Sequence, residues 1–200
     1  AHQFIYMLRM IPFEGIKKDL VIRTSLYYNR VNNKIVAIPT KNLFVWSMQN
    51  VTNVNVFGGD ISAEFELKLK KVNYKMTANY TYQKAIDITE GSLNFGDQIA
   101  YTPEHLANFD VGMTIKNFGC RISNNFTGGR YALNENTESN LVQGYLISDI
   151  AVHYTFQLKK QNKLKIQANV KNVFNQSYAY VRSFVMPGRN YLISLSYALN

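Results

Sequence analysis

The chain has 200 residues, enough for one sizeable domain, and its 46% of apolar residues exclude an intrinsically disordered protein. The net charge is +9, from 22 Lys and Arg against 13 Asp and Glu, which is compatible with binding to nucleic acid, to an anionic membrane surface or to anionic substrates. The sequence contains no run of about eighteen apolar residues, so no transmembrane helix is predicted. The 14 Tyr and 12 Phe residues favour β-strands.

Alternation of apolar and polar residues predicts about nine β-strands. In NYKMTANYTYQ (73–83), Tyr74, Met76 and Tyr80 fall on one face, with Lys75 and Thr77 on the other. The predicted strands in chain order are 2–10, 19–37, 54–69, 73–86, 105–116, 120–130, 144–158, 163–173 and 189–199. Most are longer than the about five or six residues of an average soluble strand. Most run ten residues or more, which suffices for a tilted strand that spans a bilayer with about nine to eleven residues.

The predicted connections alternate between short and long. The short ones are 11–18, 70–72, 117–119 and 159–162, and the long ones are 38–53, 87–104, 131–143 and 174–188. Outer-membrane barrels have short turns at one end and longer loops at the other, whereas a Greek-key sandwich has no reason to sort its loops in this way. The sequence therefore predicts an all-β fold, an antiparallel up-and-down transmembrane β-barrel, with its apolar face towards lipid and its polar face towards the lumen.

The end of the chain carries a more specific signal. NVKNVFNQSYAY (169–180), followed by PGRNYLISLSYAL (187–199), resembles the C-terminal segment of TonB-dependent outer-membrane receptors. The motif positions are Asn172, Phe174, Asn175, Tyr178, Pro187, Gly188 and Arg189. Weaker similarities lie at 53–67, 102–112 and 143–156. One departure is that Leu199 stands where family members usually end on an aromatic residue, and Asn200 follows it.

The resemblance implies that residues 1–200 are the C-terminal part, about nine strands, of a barrel of about 22 strands in the bacterial outer membrane. Such a receptor has an N-terminal plug domain, contacts the TonB complex through its N-terminal part and binds a small-molecule ligand. It imports a scarce nutrient such as a siderophore, cobalamin, haem or a glycan, and it is no enzyme. Because this part alone has unpaired sheet edges, we expect the remaining strands of the barrel to complete it.

The residues indicate binding rather than catalysis. His2, His105 and His153 are far apart and show no metal-ligand spacing, so neither a metal nor a cofactor is predicted. Aromatic and Arg residues are common anchors in binding sites. In the predicted long loops they are Phe44, Trp46, Tyr131, Tyr178, Tyr180 and Arg182, placed to stack on or clamp an organic ligand or a metal chelate. Nucleic-acid binding is not predicted, because the strand aromatics face away from the Lys and Asn side chains.

Two other functions stay open at this point. One is an outer-membrane barrel that anchors or adheres without transporting, which the absence of a plug domain and a TonB-contact segment upstream of Ala1 would favour. The other is a soluble ligand-binding β-protein of the lipocalin type, which solubility without detergent would favour.

Overall fold

Long antiparallel strands make up most of the protein. The computed structural model describes residues 2–10, 17–39, 45–158 and 162–199. The strands are β1 (His2–Met10), β2 (Lys17–Pro39), β3 (Trp46–Leu69), β4 (Val72–Asp87), β5 (His105–Ile115), β6 (Phe118–Thr127), β7 (Arg130–Tyr131), β8 (Leu141–Val142), β9 (Tyr145–Gln157), β10 (Lys163–Lys171) and β11 (Asn190–Ala198). A short 3₁₀ turn covers Glu138–Asn140. No helix in the described ranges is long and apolar enough to cross a membrane.

The sheet follows chain order. Nine strands pair antiparallel in the order β1-β2-β3-β4-β5-β6-β9-β10-β11, and β7 and β8 form a separate small hairpin. This is the up-and-down topology that the sequence predicts, and each of the nine predicted strands is found. Among the residues that the structure describes, β1 and β11 each pair with a single neighbour. The described sheet therefore has two edges without a further paired strand.

The strand register gathers apolar side chains into continuous rows on one face. One such row crosses from β2 to β11 through Leu20, Phe65, Met76, Val111, Ile122, Ile150, Val170 and Tyr191. Members such as Ile122, Ile150 and Tyr191 are exposed, although they are apolar. A contiguous exposed apolar face on this scale is typical of the lipid-facing side of a membrane barrel.

The opposite face is polar, and its side chains bond across the strands. The adjacent row runs through Glu64, Thr77, Asp110, Ser123 and Asp149. Asp110 is nearly buried and accepts hydrogen bonds from Arg121 at 3.0 Å, from Ser123 and from Thr77. Glu64 pairs with Arg23 at 2.6 Å. These bonds provide hydrogen-bond partners for the polar side chains on this face, where no hydrophobic core covers them. Such a polar face is usual on the lumen side of a membrane barrel.

One predicted loop is wrong. Residues 38–53 are predicted as a long connection, but β2 and β3 continue pairing from Asn32 opposite Asn53 to Pro39 opposite Trp46. Since β4 ends at Asp87 opposite Val54, this part of the hairpin has no third strand beside it in the described sheet and forms a two-stranded ribbon. A ribbon without a neighbouring strand has no face that must be apolar. Its sequence therefore lacks the alternation on which the strand prediction depends.

The most buried residues lie at one end of the sheet, with the long connections. They include Val54, Ala85, Ile99, Ala132, Val142, Tyr145 and Ile147. We call the three connections at this end, residues 88–104, 128–144 and 172–189, the loop cap. The connections at the other end, at 70–71, 116–117 and 158–162, are short. The predicted sorting of long and short connections is thus confirmed from β3 onwards.

Candidate functional site: the loop cap

Asparagine side chains join the first two loops of the cap. Asn134 Oδ1 accepts a hydrogen bond from the Ala100 amide at 2.8 Å. Asn136 bonds both backbone groups of Gln98, accepting from its amide at 2.7 Å and donating to its carbonyl at 2.9 Å. The Tyr101 amide donates to the Tyr131 carbonyl at 2.8 Å. Because buried backbone groups need partners, these bonds allow two irregular loops to pack against each other.

The third loop begins at Asn172, the first residue of the family motif. Asn172 is only 2% exposed and has a φ of 51°, a conformation that Asn tolerates better than most residues. Its amide donates to Asp149 Oδ1 at 2.8 Å, and its side chain bonds the carbonyl and the amide of Gln176 at 2.8 and 2.9 Å. Asn172 therefore ends β10 and turns the chain into the loop.

The same loop closes through Asn175. Asn175 Oδ1 accepts a hydrogen bond from the Arg189 amide at 2.8 Å. A Cβ atom at Gly188 would lie 2.6 Å from this oxygen, so the close approach requires glycine. Phe174, by contrast, is largely exposed. In this structure, the two Asn residues and the Gly of the motif shape the loop.

Arg130 ties the third loop to the second. Its Nη2 atom donates to the carbonyls of Ala179 and Tyr180, both at 2.7 Å. Its guanidinium lies 5.6 Å from the centroid of the Tyr145 ring, within the range of a cation–π contact. Arg182 adds a second link through a 3.2 Å bond from Nη1 to Asn140 Oδ1. The three loops thus form one packed unit.

Three tyrosines of the cap form an aromatic cluster. The ring centroids of Tyr145 and Tyr178 are 4.8 Å apart, those of Tyr178 and Tyr180 are 5.6 Å apart, and those of Tyr145 and Tyr180 are 5.9 Å apart. Burial raises the pKa of Tyr178, and the neighbouring Tyr180 and Asp149 add to the rise. The cluster therefore offers ring faces and hydroxyl groups, which suit a planar or amphipathic ligand.

A cavity of about 830 Å³ lies against this cluster. Besides the three tyrosines, its wall includes Asp149 and Lys171. A few placed polar groups among aromatic surfaces are usual in ligand pockets, and the volume fits a small organic molecule. A second concavity, of about 1080 Å³, lies along the polar face nearer the short turns and is lined by charged residues of the strands.

The structure separates the other predicted ligand residues from this cavity. Trp46 lies in β3 and not in a loop, and its ring centroid is 6.1 Å from that of Tyr101. Tyr131 lies in β7, where its carbonyl accepts the Tyr101 amide. Arg182 is exposed beside Asn140. Phe44 lies outside the described residues.

The structure brings the predicted ligand residues Tyr178 and Tyr180 together with Tyr145 and Arg130, which the sequence analysis does not single out. Tyr145 has the same strand parity as Asp149 and His153, so it is an aromatic residue on the polar face at the loop end of its strand. That parity was a usable signal. No sequence pattern indicates Arg130, because its burial depends on how the three loops pack. In the described ranges, no three His, Cys, Asp or Glu side chains come together to hold a metal ion.

The family model described as TonB dependent receptor-like, beta-barrel matches residues 13–173. No curated protein matches the chain.

Several solved structures share the fold. The copper transporter OprC is 14% identical with a TM-score of 0.66, over 96% of this chain and 30% of that protein. BauA, the ferric preacinetobactin receptor from Acinetobacter baumannii, is 17% identical with a TM-score of 0.65, over 98% and 29%. Fiu, the ferric-catecholate import receptor from K12 E. coli, is 17% identical with a TM-score of 0.62, over 90% and 27%. The chain thus spans less than a third of these proteins.

Proposed function

The chain belongs to the TonB-dependent receptor β-barrel family, and from this premise we propose that it is the C-terminal part of the barrel of an outer-membrane active transporter. The observation that carries the proposal is the family match over 13–173, on a sheet with one apolar and one polar face. The remaining strands and a plug domain would complete the receptor, and the TonB complex would contact its N-terminal part. This membership argues against the lipocalin alternative and against a role in catalysis.

The imported molecule would be a scarce nutrient, and we place a metal chelate first among siderophore, cobalamin, haem and glycan. Two features support this order. The similar structures are named for the transport of copper or of ferric chelates. The cavity beside Tyr145, Tyr178 and Tyr180 presents aromatic rings, on which the planar groups of an organic chelator stack well.

Growth under iron limitation tests the proposal. A strain that lacks the receptor gene would be complemented with the full-length gene and supplied with ferric siderophores or haem under iron limitation, and with cobalamin or glycans in media where each of these limits growth. We expect the gene to restore growth on one ferric chelate, in cells with an intact TonB system and not in cells without TonB. A receptor that reaches the membrane folded but restores growth on none of these nutrients would favour the anchoring or adhesive alternative.

The cavity has its own test in the Tyr178→Ala/Tyr180→Ala double variant. Loss of two stacking surfaces, each contributing about 1 kcal/mol, predicts a weakening of ligand binding by about tenfold or more. Binding would be measured by titration of the purified receptor with the chelate that restores growth in the complementation test. Phe95→Ala is the matched control, because this exposed aromatic lies in the cap but not in the cavity wall. Equal affinities of the two variants would contradict a role for the cavity.

A further inference from the structure

Arg130 carries a buried charge without a counter-ion. The residue is 4% exposed, and its Nη2 atom bonds two neutral carbonyls. Its Nη1 atom is buried and has no hydrogen-bond partner. No carboxylate among the described residues forms an ion pair with it. Burial of a charge is costly unless the charge is paired and its donors are satisfied.

The hydroxyl of Tyr101 is a second unsatisfied group in the loop cap. In the part of the chain that the structure describes, it and Arg130 Nη1 are the two buried side-chain atoms without a partner. Burial raises the pKa of Tyr101, whereas the nearby Arg182 amide and the positive charges of Arg130 and Arg182 oppose this rise. The Tyr101 backbone is bonded to Tyr131, the residue after Arg130. The Tyr101 hydroxyl thus lies within electrostatic range of two positive charges, and no acidic group contributes to the shift of its pKa.

The packing around these atoms explains why the loops do not rearrange to satisfy them. Asn134 and Asn136 fix the first loop to the second, and Arg130 Nη2 fixes the third. Water would satisfy the hydrogen bonds of both groups but would leave the guanidinium charge uncompensated. An anion satisfies both needs, because charge-assisted hydrogen bonds to an anionic acceptor are the stronger kind.

We propose that the loop cap binds a small anionic group, either a halide or the oxygen atoms of a carboxylate or phosphate, between Arg130 Nη1 and the Tyr101 hydroxyl. The exposed Arg182 lies at the rim and attracts the anion from solution. The bound anion stabilises Arg130 in the position where it holds the carbonyls of Ala179 and Tyr180. Anion binding therefore orders the loop that carries two of the three cavity tyrosines.

Bromide and inorganic phosphate are the probes, applied to the purified full-length receptor in detergent. We expect the unfolding temperature to rise with each anion and to saturate, whereas a general salt effect would continue to increase with ionic strength. Crystals soaked in bromide should show an anomalous peak beside Arg130. Arg130→Gln should abolish both effects, and Arg121→Gln, which removes an arginine already paired with Asp110 at 2.8 Å, should abolish neither.

Tyr101→Phe keeps the test open if Arg130→Gln does not fold. It removes only the hydroxyl, so we expect a folded receptor with about tenfold weaker bromide binding. If bromide binds beside Arg130 when no organic ligand is present, the site takes its anion from solution. Displacement of that bromide by the transported ligand identifies an anionic group of the ligand.

Three results would overturn the proposal. They are the absence of a peak at Arg130, an anion response that Tyr101→Phe leaves unchanged, and a carboxylate from elsewhere in the receptor seated on Nη1. None of these readouts involves uptake, so the anion site and the transport function succeed or fail independently.

Discussion

Gly119 pairs directly with His153 across β6 and β9, and the imidazole ring lies over the glycine. A Cβ atom at Gly119 would lie 2.7 Å from His153 Nε2 and closer still to Cε1. The ring covers backbone that would otherwise be bare, an arrangement that strengthens glycine positions in sheets. Gly119→Ala should therefore displace His153 and lower the free energy of unfolding by about 1 kcal/mol, since the partly exposed ring can move aside. Chemical denaturation of the refolded receptor measures this change.

Gly112→Ala is the matched control for that substitution. Gly112 lies on the same polar face in β5, but a Cβ atom there would come no nearer than 3.6 Å to another atom, the Lys75 carbonyl oxygen. We expect a change within about 0.5 kcal/mol. Similar losses at the two glycines would show that the imidazole ring is not the cause.

Asp110 is a second residue on which the polar face depends. It is 7% exposed and accepts from three neighbouring side chains, those of Thr77, Arg121 and Ser123. Asp110→Asn keeps the shape but removes the charge, so we expect a loss of about 1–2 kcal/mol in denaturation experiments. Glu66→Gln, in an exposed pair with Lys75, should cost less than about 0.5 kcal/mol. The prediction fails if the exposed pair is worth as much as the nearly buried carboxylate.

At the scale of elements, the β2–β3 ribbon should be the least protected part of the long strands. Among the described strands, residues 32–39 and 46–52 pair with each other and with no third strand, whereas Val54 to Leu69 of β3 pair with β2 on one side and β4 on the other. An isolated two-stranded hairpin is marginally stable in water. Hydrogen exchange followed by mass spectrometry should show faster amide exchange in the ribbon than in the lower half of β3. Equal protection of the two halves would contradict this account.

The loop cap should behave as one element that Asn136 holds together. Its amide group makes three hydrogen bonds, two to Gln98 and one to the Asn134 carbonyl. Asn136→Ala should therefore increase proteolysis within 88–104 and 128–144 several-fold while leaving the unfolding of the strands unchanged. Asn94→Ala, in the same cap, removes none of these contacts and should not increase cleavage. Intact loops in the Asn136 variant would show that the cap is held by other bonds.

Alternation predicted those elements that have two different environments on their two faces. Met76, Val111 and Ile122 face one side across three neighbouring strands, and their period of two is visible in the sequence. The ribbon has no such contrast, and its residues from 38 onwards are predicted as a loop, whereas 32–37 fall in the predicted strand 19–37. The position of Arg130 depends on side-chain bonds between loops distant in sequence, to which no local pattern corresponds. The strands were therefore predictable, whereas only part of the site was.

For the whole molecule, the apolar face determines how the chain behaves outside a membrane. Exposed aliphatic and aromatic side chains such as Ile122, Leu146 and Ile193 lie on this face, and β1 and β11 leave free edges in the described sheet. Both features promote association in water. The chain of 200 residues, produced alone, should therefore aggregate in detergent-free buffer and disperse in detergent micelles. Size-exclusion chromatography in the two buffers makes the comparison, and a monodisperse monomer without detergent would contradict the assignment of this face to lipid.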